Sequence, residues 1–222
     1  MTEDKLQVPK KTKGDAAHAI AKAGLSAIPV IGGSAAELFQ NVIQPPLEKR
    51  RIEWMQQVGE KIQELEENGL KIEDLQENEE FISAVMHASQ IALKTHKNEK
   101  LKALRNAILN IAKGQAPEET LQNIFLNLID SFTELHICIL KLFQNPEPPP
   151  NLSMGGLSDV IEHNIKELRG RQDLYDQIWM DLYSHGLVNT DNLHVTMTVH
   201  SLRQKRTTGM GDAFLKFIAG SQ

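Results

Sequence analysis

The sequence predicts a mainly α protein: an N-terminal helical bundle with a tight hairpin of small residues, followed by a small C-terminal α+β domain. Three observations lead there. Aromatic residues make up 5% of the 222 positions while Leu, Ile and Ala are plentiful, a mixture that interdigitates well between helices. From Leu47 to Phe143 apolar residues recur every three or four positions, the period of an amphipathic helix. One late stretch, Leu193 to His200, alternates with period two instead, as a strand does.

The elements follow in order. Residues 1–14 hold Lys5, Lys10, Lys11 and Lys13 around Pro9, with no period that would bury a face, and read as a flexible arm. They lack the apolar core of a secretory signal. Asp15 caps a run of small residues to Leu25, which breaks at Ile28-Pro29-Val30-Ile31-Gly32-Gly33, where proline removes a donor and glycine permits a reversal. Ser34 caps the returning arm, Ala35 to Ile43, with Glu37 completing a capping box. The two arms of this hairpin carry almost no charge.

Pro45 and Pro46 open the next helix, which runs to Glu67 and stops at Gly69. Its apolar positions Ile52, Met55, Val58, Ile62 and Leu65 form a narrow seam on an otherwise charged surface, a candidate interface. The stretch 60–80 is strongly acidic. Asn78 caps a helix presenting Phe81, Val85, Ala88 and Ala92, and a further helix runs from Glu99 to Lys113 and ends at Gly114. Leu121 to about Gln144 keeps helical spacing throughout, predicting a single central strut roughly 40 Å long. Asn145-Pro146-Glu147-Pro148-Pro149-Pro150 reads as a stiff linker, and residues 146–151 are taken to separate the bundle, 15–145, from the domain 152–222. In that domain Ser158 caps a helix to Leu168. A second helix covers Gln172 to Ser184, the strand follows, and the basic turn Arg203-Gln204-Lys205-Arg206 leads into a last helix, Asp212 to Ile218. Two helices, a short β element and a closing helix resemble a winged-helix domain.

Charge and residue chemistry narrow the function. A formal net charge of −5 disfavours a general nucleic-acid binder, which needs a cationic surface. The basic wing Arg203, Lys205 and Arg206 is the candidate exception, but the helix beside it, 172–184, carries Asp173, Asp176 and Asp181 and no Arg or Lys, so it would repel phosphates. His194 and His200 share a strand face yet stand about 20 Å apart if extended, so they and His185 do not make a metal set. His136 borders the apolar stripe and reads as a satisfied, half-buried side chain. Cys138 is the single cysteine; set among Ile137, Ile139 and Leu140, it reads as a buried packing thiol. Gly32-Gly33-Ser34 has no following Walker-type lysine and no preceding strand, so it is a turn and not a nucleotide loop. The glutamates of 60–80 lack the spacing of a calcium loop. No catalytic, cofactor or metal residues are assigned, and no small-molecule substrate is identified.

Ala23, Gly24, Ile28, Pro29, Gly32 and Gly33 permit close helix approach, in lipid or in a protein core. Each arm of that hairpin reaches about 15 Å, half a bilayer, so it spans nothing unaided. No run of about 18 apolar residues occurs anywhere, and the expected location is cytoplasmic.

The succession from Ala23 to Gly33, followed by Ile43-Gln44-Pro45-Pro46-Leu47, resembles the opening of bacterial helical proteins grouped as the abortive-infection alpha family. The closing Thr207 to Ile218 is similar to the last wing and helix of winged-helix modules appended to such proteins. The resemblance implies a role in phage defence or stress and carries over no functional residue. The function expected is therefore a non-enzymatic protein-interaction or effector module, self-associating through the 47–67 seam or the hairpin. The alternatives are a membrane-active effector that inserts the 15–43 hairpin and a DNA-binding regulator that uses the wing.

Overall fold

Residues 39–220 are described in the computed structural model. The arm and the hairpin residues Ala23, Gly24, Ile28, Pro29, Gly32 and Gly33 lie outside them. The chain divides into two units at Lys49/Arg50. In the first, a π-helical turn, Phe39–Ile43, runs into the start of helix α1, Gln44–Glu67.

The second unit takes in the rest of α1 and nine further helices among the described residues. They are α2 (Ile72–Gln76), α3 (Glu79–Lys94), α4 (Asn98–Ala112), α5 (Glu119–Ser131), α6 (Glu134–Leu142), α7 (Leu157–Asn164), α8 (Gln172–Ser184), α9 (Val199–Leu202) and α10 (Gly209–Phe217). Two-residue strands β1 (Met154–Gly155) and β2 (Met197–Thr198) pair antiparallel, Met154 opposite Thr198 and Gly155 opposite Met197. The protein is mainly α, as its composition indicated.

Local chemistry sets several helix ends. The Asn78 side chain accepts from the Phe81 amide at 3.0 Å and starts α3. Thr208 does the same for Gly211 at 3.0 Å and starts α10. Gly114 and Gly186 close α4 and α8 with φ of 65° and 68°, conformations that cost an L side chain energy. Buried Asn110 closes the far end of α10: its Nδ2 donates to the Phe217 carbonyl at 2.8 Å and the Ala219 carbonyl at 3.1 Å. Asn106, one turn earlier, donates to the Ile218 carbonyl at 2.9 Å. Asn110→Ala should therefore cost about 2 kcal/mol, because it strands buried carbonyls. Urea unfolding should show a lower midpoint at unchanged slope, and a smaller loss for the less buried Asn106→Ala.

Five expectations need correction. First, residues 146–151 do not separate two domains. Arg50–Gln222 forms one unit, Pro146 and Pro148 are buried, and Asn164 donates to the Glu147 carbonyl at 2.8 Å. Across this segment the Phe143 ring meets Trp179 at 4.7 Å and the Phe125 ring meets Phe214 at 5.4 Å. Second, the strut is broken: α5 and α6 meet at 116°. The bend sits at Phe132-Thr133, where Thr133 starts a new helix. Lysines hold it from outside, Lys94 on Asp130 at 2.8 Å and Lys97 on Glu134 at 3.7 Å.

Third, the period-two stretch Leu193 to His200 is strand only at Met197–Thr198, because β1 offers two residues to pair with, and Val199 already begins α9. Fourth, Gly156 is the N-cap of α7, its amide donating to Asp159 at 2.8 Å, and Ser158 lies inside the first turn. Fifth, the seam on α1 is not a free interface. Val58 is buried and Met55, Ile62 and Leu65 pack partly against the core, while Ile52 alone of the five is exposed, at 56%. The anchor of that face is Trp54, whose Nε1 donates to the Ser89 hydroxyl at 2.9 Å.

Candidate functional site

Among the described residues, a cleft on the outer side of α8 is lined by an exposed large apolar side chain, Met180. The helix buries Tyr175, Ile178, Trp179 and Leu182 inward. The next turn outward presents Met180, 48% exposed, and Tyr183, 41% exposed, with Asp173 and Asp176 along the same helix. After Gly186 the chain returns beside α8 and is fixed there by hydrogen bonds. The Thr190 carbonyl accepts from Trp179 Nε1 at 2.9 Å, and Asn192 Oδ1 accepts from the His194 amide at 2.8 Å. Buried Leu193 accepts from the Ser158 amide at 3.1 Å. Gly156 permits this approach, since a Cβ there would stand 2.7 Å from the Leu193 carbonyl oxygen.

Between helix and loop lies a cleft of about 310 Å³, lined by Asp176, Trp179, Met180, Asp191, Leu193 and His194. His194 Nε2 stands 2.8 Å from Asp176 Oδ1 and closes one wall. Val195, next to His194 in the chain, is 52% exposed. Below it, the Tyr175 hydroxyl donates to Glu162 at 3.1 Å. Burial first, and then that carboxylate, push the Tyr175 pKa up to about 12. The whole segment 172–202 contains Asp173, Asp176, Asp181 and Asp191 and no Lys or Arg.

A His–carboxylate pair supplies two of the three members of a nucleophilic triad, yet among the described residues no hydroxyl or thiol hydrogen-bonds to His194. A second arrangement does spell the full order. Thr133 Oγ1 lies 2.8 Å from His136 Nδ1, and His136 Nε2 lies 3.3 Å from Asp181 Oδ2. This one caps a helix: the Thr133 amide also donates to Nδ1, at 3.2 Å. The imidazole is buried and stacked on Phe132 at 4.7 Å, with Phe132 in turn edge-on to His185. It pins the α5–α6 elbow to α8.

The elbow has a pH dependence of calculable sign. Burial pushes the His136 pKa below its usual 6.5, outweighing the hydrogen bond and charge of Asp181, with His185 and Lys100 pushing the same way as burial. The folded chain thus binds fewer protons here than the unfolded chain. The stability involved is fully present above pH 6.5 and is lost as pH falls from there through the lower folded value. Urea midpoints taken between pH 7.5 and 5 should decline. His136→Gln, which keeps an acceptor at this capping position and does not titrate, should flatten the decline.

The residues singled out from sequence fare unevenly. Arg206 is structural: its Nη2 donates to the Ser201 carbonyl at 2.7 Å and to Met197 Sδ at 3.4 Å, and its amide donates to the Phe143 carbonyl at 2.9 Å. Lys205 pairs with Asp212. Burial opposes ionisation of Asp212, but Lys205, Thr207 and Gln144 together hold its pKa below the usual carboxylate value. Arg203 is exposed. The wing is therefore a braced turn and not a free cationic patch. Cys138 is exposed, contrary to the expectation of a buried thiol, and partial burial of its sulfur raises its pKa and disfavours thiolate. His185 Nδ1 donates to the Asp181 carbonyl of its own helix at 2.7 Å, and among the described residues it shares no ligand set with His194 and His200.

Sequence reasoning missed Met180, Tyr183 and Asp191. The signal existed, since both apolar residues fall on the side of α8 opposite Leu174, Ile178 and Leu182. No family model, curated protein or solved structure matches the chain. No single described helix is long and apolar enough to cross a membrane; α5 and α6 pass that test only as a pair, bent by 116°.

Proposed function

We propose that this chain is a non-enzymatic protein-interaction module, active in bacterial defence or stress, that meets its partner through the outer face of α8 and the adjoining cleft. One observation carries the reading: exposed Met180 lines a cleft together with Asp176 and Asp191, while Tyr183, one turn further along α8, and Val195, next to the cleft residue His194 in the chain, are exposed as well. Large exposed apolar side chains grouped in this way mark interaction surfaces, whereas isolated ones do not. Methionine and tyrosine suit the task, giving adaptable contact area at small entropic cost.

On a winged-helix-like reading of residues 152–222, α8 takes the place of the helix that enters the DNA major groove. Its aspartates oppose that use, and two of the three wing cations are engaged within the chain. Self-association is not assigned to the α1 seam, because Val58 and its neighbours face the chain's own core. The defence role rests on the resemblance of the opening and closing segments to abortive-infection alpha proteins.

The test is site-specific photo-crosslinking in the native host. Benzoylphenylalanine at position 180 or 183 should give an adduct of discrete mass that vanishes when Asp176→Lys and Asp191→Lys are added. Adducts insensitive to those changes, or cross-links to nucleic acid, overturn the reading. So does a catalytic turnover by the purified chain that His194→Ala abolishes.

A further inference from the structure

Resting on that reading, we infer that the α8 cleft takes a basic, amphipathic peptide segment: one large aliphatic side chain in the cleft, flanked by lysine or arginine. Charge complementarity, with the size and lining of the cleft, selects this occupant. Thirty-one consecutive residues, 172–202, supply four aspartates and no Lys or Arg. Two of those aspartates, Asp176 and Asp191, line the cleft, one from the helix and one from the loop. The apolar lining is Trp179 and Leu193, both buried, and exposed Met180. At about 310 Å³ the space sits at the bottom of the range for ligand sites, about 300–1,000 Å³. That suits a single leucine or methionine side chain better than a cofactor.

A cation on either flank of that side chain would meet a carboxylate. On Asp176, His194 holds Oδ1 at 2.8 Å while Gln172 Nε2 donates to Oδ2 at a long 3.4 Å, the weaker contact that a cation would displace. An anionic lipid surface or a nucleic acid would meet the same carboxylates with the wrong sign. The arrangement reproduces the logic of helix-in-groove recognition, in which apolar anchors give affinity and flanking charges give orientation.

The full chain carrying Trp54→Phe keeps Trp179 as its one indole, and Trp179 lines the cleft. The probe is a synthetic amphipathic helix of leucine and lysine, and its reference is the same peptide with glutamate in place of lysine. Titration should shift the Trp179 emission with the lysine peptide, in a salt-sensitive manner, and not with the glutamate peptide. Asp176→Lys with Asp191→Lys should weaken the lysine peptide at least tenfold and admit the glutamate peptide. Glu73→Lys with Glu77→Lys, the same charge change on exposed residues of α2 and its C-cap, should leave binding intact.

Equal losses from the two charge reversals, or equal binding of the two peptides to the unreversed chain, overturn the proposal. Because the peptide swap needs no altered cleft, this holds even if a reversed variant folds poorly. Light scattering separates this failure from failure of the wider reading. A dimer that Met180→Glu dissolves replaces the basic peptide with a second copy and leaves the interaction module standing. Absence of both the peptide complex and the photo-adducts at 180 and 183 sinks the two together.

Discussion

Phe125→Ala should lower the stability of residues on both sides of the proline segment at once, by about 4 kcal/mol. Phe125 is fully buried on α5, and its ring meets Phe214 at 5.4 Å and Phe217 at 5.5 Å, both on α10. Removing it leaves a cavity between two helices that are distant in sequence, and the edge-on contact with Phe214 and the tilted one with Phe217 disappear with it. Near-neighbour elements cannot collapse into the gap, because Asn110 ties the end of α10 to α4. In the Trp54→Phe background, Trp179 fluorescence reports the C-terminal half and far-UV circular dichroism reports all helices. The two thermal transitions should coincide, before and after the substitution, as expected for one cooperative unit. Independent domains would give a different result: Trp179 would melt at an unchanged temperature while part of the helical signal moved.

What the sequence made legible divides along a physical line. Boundaries set by a local device were read directly: Asn78 capping α3, Gly69 and Gly114 stopping α1 and α4, His185-Gly186 closing α8. Each depends on one residue's backbone preference or a side chain within three positions. Features set by distant partners were not legible. Apolar spacing runs without interruption from Leu121 to Phe143, so periodicity gives no sign that Phe132 is the inside of an elbow. The bend exists because Thr133 and His136 cap a second helix and Asp181, 45 residues away, receives the imidazole. The same applies to the α1 seam. Spacing located an apolar stripe correctly, but whether it faces solvent or core was decided by Trp54 reaching Ser89. For the candidate cleft, the acidity of 172–184 was evident and was used against DNA. The loop that folds Asp191 and His194 back over the helix was not, because it rests on Trp179, Ser158 and Asp176.

The second large effect concerns how the chain closes. Gly211→Ala should destabilise the protein by about 3 kcal/mol, the upper part of the range for overpacking a well-filled site. For a chain of this size that lowers the melting temperature by roughly 6–12 °C. Gly211 lies in the first turn of α10, where a Cβ would press on the Leu187 carbonyl oxygen, well inside contact distance, and stand 3.2 Å from its carbonyl carbon. The neighbour is backbone, and it is held. The Leu187 carbonyl accepts from the Thr208 amide at 3.0 Å, and Asn189 donates to the Arg206 carbonyl at 2.9 Å on either side of the Val188–Thr207 bridge. Neither segment yields without breaking that pairing, and Thr208 is also the cap that starts α10. Gly209, two residues earlier, has nothing within 4 Å of an added Cβ and no left-handed φ. Gly209→Ala should thus change stability by less than about 0.5 kcal/mol. The pair of melting curves separates packing from helix propensity, since propensity alone favours alanine at both positions. Equal behaviour of the two variants would mean that the close approach of α10 to Leu187 is not what fixes the C-terminal helix.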